Sequence, residues 1–112
     1  MIEMDTFFKD YNQFTTFNPD GFGKSTLFEN DHVLVGLNCL EPGHIYEKHA
    51  HTIQTRFYLV LEGKGSVLVG ETEKDIQSGM VIWIPNGHTH KIINNGGEQL
   101  ILLVGISPAN SD

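Results

Sequence analysis

The sequence predicts an all-β domain, a sandwich or barrel of short antiparallel strands. Three observations carry that expectation. Helical periodicity is missing after residue 25, where short apolar segments recur instead. Each segment is closed by turn residues, among them Glu41-Pro42-Gly43, Ser78-Gly79 and Asn94-Asn95-Gly96-Gly97. The punctuation is rich in glycine, which tolerates the positive φ that tight hairpins demand. Many short strands at fairly even spacing are the signature of a closed β architecture.

Residues 1–25 read as an arm rather than a strand. Phe7, Phe8, Tyr11, Phe14, Phe17 and Phe22 crowd it with aromatic rings at early spacings of three to four. Asp5 or Thr6 is placed to cap a short helix through Lys9 to Gln13. So many rings need a surface to cover. That surface is the outside of the barrel, a twin subunit or, as a lid, the site itself. The barrel is expected over residues 26–108, with 109–112 as a tail. Its strands are expected near Ser25–Phe28, Val33–Leu40, Arg56–Leu61, Ser66–Val69, Lys74–Ile76, Val81–Ile84, Lys91–Ile93 and Gln99–Ile106.

At 112 residues the chain is one domain with room for one hydrophobic core. A formal charge of −7 repels phosphate backbones and anionic lipids, which argues against nucleic acid and membrane partners. It does not oppose a small anion held in a locally positive pocket. Val81–Ile84 and Leu100–Val104 are far too short to span a bilayer. Met1-Ile2-Glu3-Met4-Asp5 lacks the basic start of a secretion signal, and Cys39, the only cysteine, forms no internal disulfide. A cytoplasmic protein is expected.

Chemistry is suggested by the histidines. His49 and His51 are separated by one residue, so on a strand they leave the same face, with Cα atoms roughly 6–7 Å apart. Two imidazoles so placed converge on one ion at about 2.0–2.1 Å, and a third from another strand, His90, completes one side of its coordination. Positions then stay open for water or substrate.

These residues fall in two patterned stretches. Gly43-x5-His49-x-His51-x4-Arg56-x6-Gly63 resembles the first cupin motif at every position except the acid before the last glycine. Gly79-x5-Pro85-x-Gly87-x2-His90-x3-Asn94 resembles the second motif completely, fifteen residues further on. The resemblance implies an antiparallel double-stranded β-helix, or jelly-roll barrel, in a family whose members are often dimeric. It also implies that His49, His51 and His90 are metal ligands, and that Arg56 occupies the place of the family's glutamate ligand. Cupins with three-histidine iron centres act as thiol and diketone dioxygenases, some with an arginine for the substrate carboxylate.

A guanidinium has no lone pair to give a metal. A divalent ion about 5 Å from it meets a repulsion of roughly 7 kcal/mol at an effective dielectric of 20. Three arrangements relieve that cost. An anionic substrate bridges them, its carboxylate held by Arg56 in bidentate fashion. Alternatively Arg56 turns to Glu41, Glu47 or Glu62, and water or Gln54 fills the fourth metal position. In the third arrangement no metal binds, and the pocket receives a small acid through imidazole and guanidinium. An all-imidazole site suits a divalent transition metal, with Fe(II) preferred and Zn, Ni or Mn open.

Tyr58 shares parity with Arg56, so it points inward, where it packs in the core, orients substrate or acts as an acid. His88 lies close enough to His90 to be weighed as a ligand, but the Pro85-x-Gly87 turn breaks alternation there and favours a rim or backbone-bonded role. His32 and His44 are expected to be exposed turn residues, and Trp83 and Cys39 packing residues. Gly43, Gly63 and Gly79 are expected where a Cβ would clash in a turn, and Asn94 where a side chain ties off turn backbone. The leading expectation is a metal-binding protein acting on a small carboxylate with Arg56 and Tyr58 as its catalytic and substrate-binding residues, of the dioxygenase type and homodimeric. The alternatives are a non-catalytic small-molecule or metal-binding module, or a sugar isomerase or epimerase.

Overall fold

The computed structural model describes residues 7–48 and 53–109, and among them nine strands form two antiparallel sheets. The larger sheet runs β1 (Phe22–Glu29), β2 (Leu34–Leu40), β9 (Leu100–Ser107), β4 (Thr55–Glu62) and β7 (Val81–Ile84). The smaller runs β3 (Ile45–Lys48), β8 (His90–Ile93), β5 (Lys64–Val69) and β6 (Thr72–Gln77). Apart from the β1–β2 and β5–β6 hairpins, strands that are neighbours in sequence pass from one sheet to the other, as in a double-stranded β-helix. The expected all-β jelly roll is what the chain forms.

Two sheets with apolar inner faces bury those faces against each other. Leu40, Tyr58, Val60, Ile82, Ile84, Leu100, Leu102 and Val104 from the larger sheet meet Val67, Ile76 and Ile92 from the smaller. Each such aliphatic side chain gains about 1.5–3 kcal/mol by leaving water. A second apolar cluster, Leu27, Leu37, Cys39 and Ile101, lies on the opposite face of the larger sheet, with Tyr11, Phe14 and Phe17 of the arm packed on it. The thiol of Cys39 belongs to this outer cluster, where burial pushes its pKa up.

Several local expectations change. The expected caps Asp5 and Thr6 of a helix through Lys9 to Gln13 lie outside the described residues; within the described part of the arm, Tyr11–Gln13 forms a 3-10 turn capped by Asp10. Asp10 serves as cap because its carboxylate accepts from the backbone N–H of Asn12. Strand β3 was not expected; only four residues long, it shows no alternation pattern of its own. Trp83 does not pack inside but stands on the outer face, 63% exposed. Gly43 and Gly79 have open space where a Cβ would go, so their positive φ of 89° and 95° is what calls for glycine.

The turn residues of the second patterned stretch do fold work. Pro85 follows the last residue of β7, and Gly87 takes a φ of 87° before β8 begins at His90. Asn94 is fully buried. Its side-chain amide donates to the carbonyls of Leu40 and Glu98, and its Oδ1 accepts from the N–H of Gly96. One side chain thereby fastens the β8–β9 connection to the end of β2.

Candidate functional site

Strand β4 aims Arg56 and Tyr58 at the interior, since residues two apart share a face. Opposite them, β8 presents His90 as its first residue, buried at 3% exposure. Strand β3 adds Tyr46, paired in register with Ile92. The Tyr58 hydroxyl lies 2.9 Å from Nε2 of His90, and the rings of Tyr58 and Tyr46 stand 5.5 Å and 5.8 Å from the imidazole. Phe22 braces Tyr46 edge-on at 4.2 Å.

Arg56 is 8% exposed and surrounded by neutral oxygen. Its guanidinium donates to the hydroxyls of Tyr58 at 3.4 Å and Tyr46 at 3.5 Å, and to Oε1 of Gln54 at 3.3 Å. These are long bonds. Gln54 is itself held by donating to the carbonyl of Pro108. Among the described residues no carboxylate comes within ion-pair distance of Arg56. Glu41 accepts instead from Gln99, Glu62 accepts from Tyr11, and Glu47 is exposed. Among the described residues, Glu41, Glu47 and Glu62 therefore do not neutralise Arg56.

Burial pushes the Tyr58 hydroxyl well above the usual tyrosine range, and the nearby Tyr46 adds to it. Arg56 pulls the other way but does not win. Tyr58 therefore keeps its proton at neutral pH. The interior holds a fixed cation, a proton-bearing hydroxyl and an imidazole in one connected group.

His49 and His51 lie outside the described residues, so the structure places only His90 of the three expected ligands. Among the described residues no three His, Cys, Asp or Glu side chains group as a metal site. His88 is exposed, its ring nitrogen 3.5 Å from the carbonyl of Asn86, on the rim as expected. His32 is an exposed turn residue. His44, expected to be exposed, is half-buried, and its Nδ1 finds no hydrogen-bond partner among the described residues. Its backbone carbonyl accepts from the N–H of Asn94. Tyr46 escaped the sequence reading because its strand did; without β3 its parity has no frame.

A model of the cupin domain matches residues 36–106. The dimethylsulfoniopropionate lyase DddW of Ruegeria pomeroyi is 32% identical over 70% of this chain, and the chain spans half the length of that enzyme. The structure of TT1209 from Thermus thermophilus superposes with a TM-score of 0.86 at 32% identity, covering 90% of this chain and 96% of that one. A Klebsiella pneumoniae protein with a double-stranded β-helix domain superposes at 0.89 over 95% and 93% of the two chains. At 18% identity it bears on the fold alone.

Proposed function

This chain belongs to the cupin family, and from that premise we propose that it binds a small carboxylate-bearing molecule inside the barrel and performs metal-assisted acid–base chemistry on it. The observation that carries the reading is Arg56, a buried guanidinium whose described partners are all neutral. A cation withdrawn from water without a counter-charge is costly, and an incoming carboxylate removes the cost by accepting two parallel N–H bonds. Arg56 is the carboxylate clamp in this reading, and Tyr46 and Gln54 fix its plane.

The one proposed ligand among the described residues is an imidazole, a nitrogen donor of the kind that suits a divalent transition metal. His90 is buried, and its Nε2 faces the interior, in line with the Tyr58 hydroxyl. His49, His51 and His90 are the proposed ligands of a divalent transition ion, Fe(II) first, with Zn, Ni or Mn as alternatives. Bound there, the metal supplies Lewis acidity toward a substrate oxygen. Tyr58 holds a proton at its hydroxyl and donates it to the reacting molecule, while Arg56 fixes the molecule's orientation. The family resemblance to a lyase supports proton transfer of the elimination type. Three neutral imidazoles without a carboxylate support the dioxygenase alternative.

The test has two parts. Metal content is measured in protein purified without chelating resin, for the wild type, His49→Ala and His90→Ala; a stoichiometric ion lost in both variants is expected. Binding of a panel of small carboxylates is measured by calorimetry in the wild type and Arg56→Leu. Undiminished metal in both histidine variants, or equal carboxylate affinity without the guanidinium, would overturn the reading. Oxygen uptake against release of an unsaturated acid then separates dioxygenase from lyase.

A further inference from the structure

Strands β6 and β7 follow one another in the chain but end different sheets, so no backbone ladder joins them. The gap between them is a crevice of about 300 Å³ that stays open among the described residues. Val67, Val69 and Ile76 of the smaller sheet form one wall, and Ile82 and Trp83 of the larger form the other. Met80, on the connection from β6 to β7, closes one end. A volume of this size stands at the lower limit of small-molecule pockets, whose linings are predominantly apolar.

Strand β6 sorts its charges by face. Residues paired across neighbouring strands share a face, and Lys74 is paired with the core residue Val67. Lys74 therefore stands on the crevice side with Thr72 and Ile76, whereas Glu73 and Asp75 stand on the outer side. The lysine has no ion-pair partner among the described residues, in a chain where 14 acidic side chains outnumber 7 basic ones. An inward lysine on an edge strand also deters pairing with a stray strand. That role accounts for the charge but not for the apolar crevice beside it. An occupant with an apolar body and an acid group uses both.

We propose that the crevice is a binding site, separate from the Arg56 clamp, for an aliphatic carboxylate of medium chain length. The chain lies between the two sheet edges, and the acid group rests on the ammonium of Lys74. A gap between two strand edges is a slot, which suits an extended chain better than a bulky ring system. Arg56, Tyr58 and His90 do not line it. Its walls are nevertheless their neighbours in register, Val69 being paired with His90 and Ile82 with Tyr58. An occupant therefore lies one side-chain layer behind the Tyr58–His90 bond.

Trp83 is the one tryptophan of the chain and part of the wall, so its emission reports occupancy. Titration with hexanoate, octanoate and decanoate should move that emission to shorter wavelength, with affinity rising roughly two- to fourfold for each added methylene. Octylamine should bind about tenfold more weakly than octanoate, and Lys74→Gln should erase that preference. Val69→Phe, which fills the slot, should abolish the response to every chain. Lys74 is exposed, so its variant keeps the test valid should Val69→Phe misfold. Arg56→Leu should leave the titration unchanged. An emission indifferent to every acid overturns the proposal, as does an affinity that stays flat with chain length. A response lost in Arg56→Leu but kept in Lys74→Gln overturns it as well, by placing the acid in the barrel interior and leaving the proposed function standing.

Discussion

Tyr58 of the larger sheet and His90 of the smaller share a hydrogen bond of 2.9 Å across the barrel interior. The bond joins the two layers at a point where both partners are almost wholly withdrawn from water. In such surroundings a hydroxyl keeps its proton, because the phenolate finds too little solvation. Burial raises the Tyr58 pKa above the unfolded value near 10, so the folded chain binds that proton more tightly than the unfolded chain.

A stability loss in base follows. The contribution is fully present below about pH 10 and is lost progressively as pH climbs through the window between the unfolded and folded values. Urea unfolding midpoints should fall from pH 9 to pH 11.5, and Tyr58→Phe should flatten that fall. Equal slopes in the two proteins would show that another group governs the alkaline limb.

Arg56 should oppose stability while serving binding. Its guanidinium loses hydration in the barrel and, among the described residues, regains only three long bonds to neutral oxygens. Arg56→Met keeps the volume and removes the charge. By analogy with buried ions replaced by apolar residues, it should raise stability by about 1–2 kcal/mol while abolishing carboxylate binding. Thermal unfolding and calorimetry measured on one preparation decide both halves of this prediction.

How far the sequence goes depends on the physics each residue obeys. Alternation is a local rule, so Arg56 and Tyr58 are seen to share a face from their spacing alone, and the structure points both inward. Glycine and proline signals mark the ends of β7 and the start of β8 for the same reason. Strand β3 is invisible because Ile45–Lys48 is short and held by pairing with β8, from Ile45 opposite Ile93 to Lys48 opposite His90, a partner far along the chain. Trp83 misleads because an aromatic residue on a strand looks alike whether its face meets the core or the outside. Tyr46 and Gln54 join Arg56 only through tertiary contact, which no spacing announces.

Asn94 should prove the costliest polar residue to lose. Its amide satisfies two carbonyls from separate segments, and its oxygen satisfies a third group at Gly96. Asn94→Ala strands these partners near or below the surface, at about 1–3 kcal/mol for each buried group left unmade. A loss of about 2–4 kcal/mol in chemical unfolding is expected. Asn94→Asp, which keeps the acceptor but not the donors, should recover little of it.

Two glycines with nearly the same backbone angle should respond differently to alanine. Gly63 and Gly79 have φ of 92° and 95°, so both pay the left-handed penalty of about 1 kcal/mol. At Gly79 nothing lies within 4 Å of the added Cβ, and that penalty is the whole cost. At Gly63 the Cβ lands beside the carbonyl oxygen of Gln99, which is main chain and has no rotamer by which to withdraw. The β4–β5 hairpin or the start of β9 must shift, which carries Gly63→Ala to about 3 kcal/mol or more. Equal unfolding free energies for the two alanine variants would mean that the contact with Gln99 relaxes freely, and that the hairpin is looser than its packing implies.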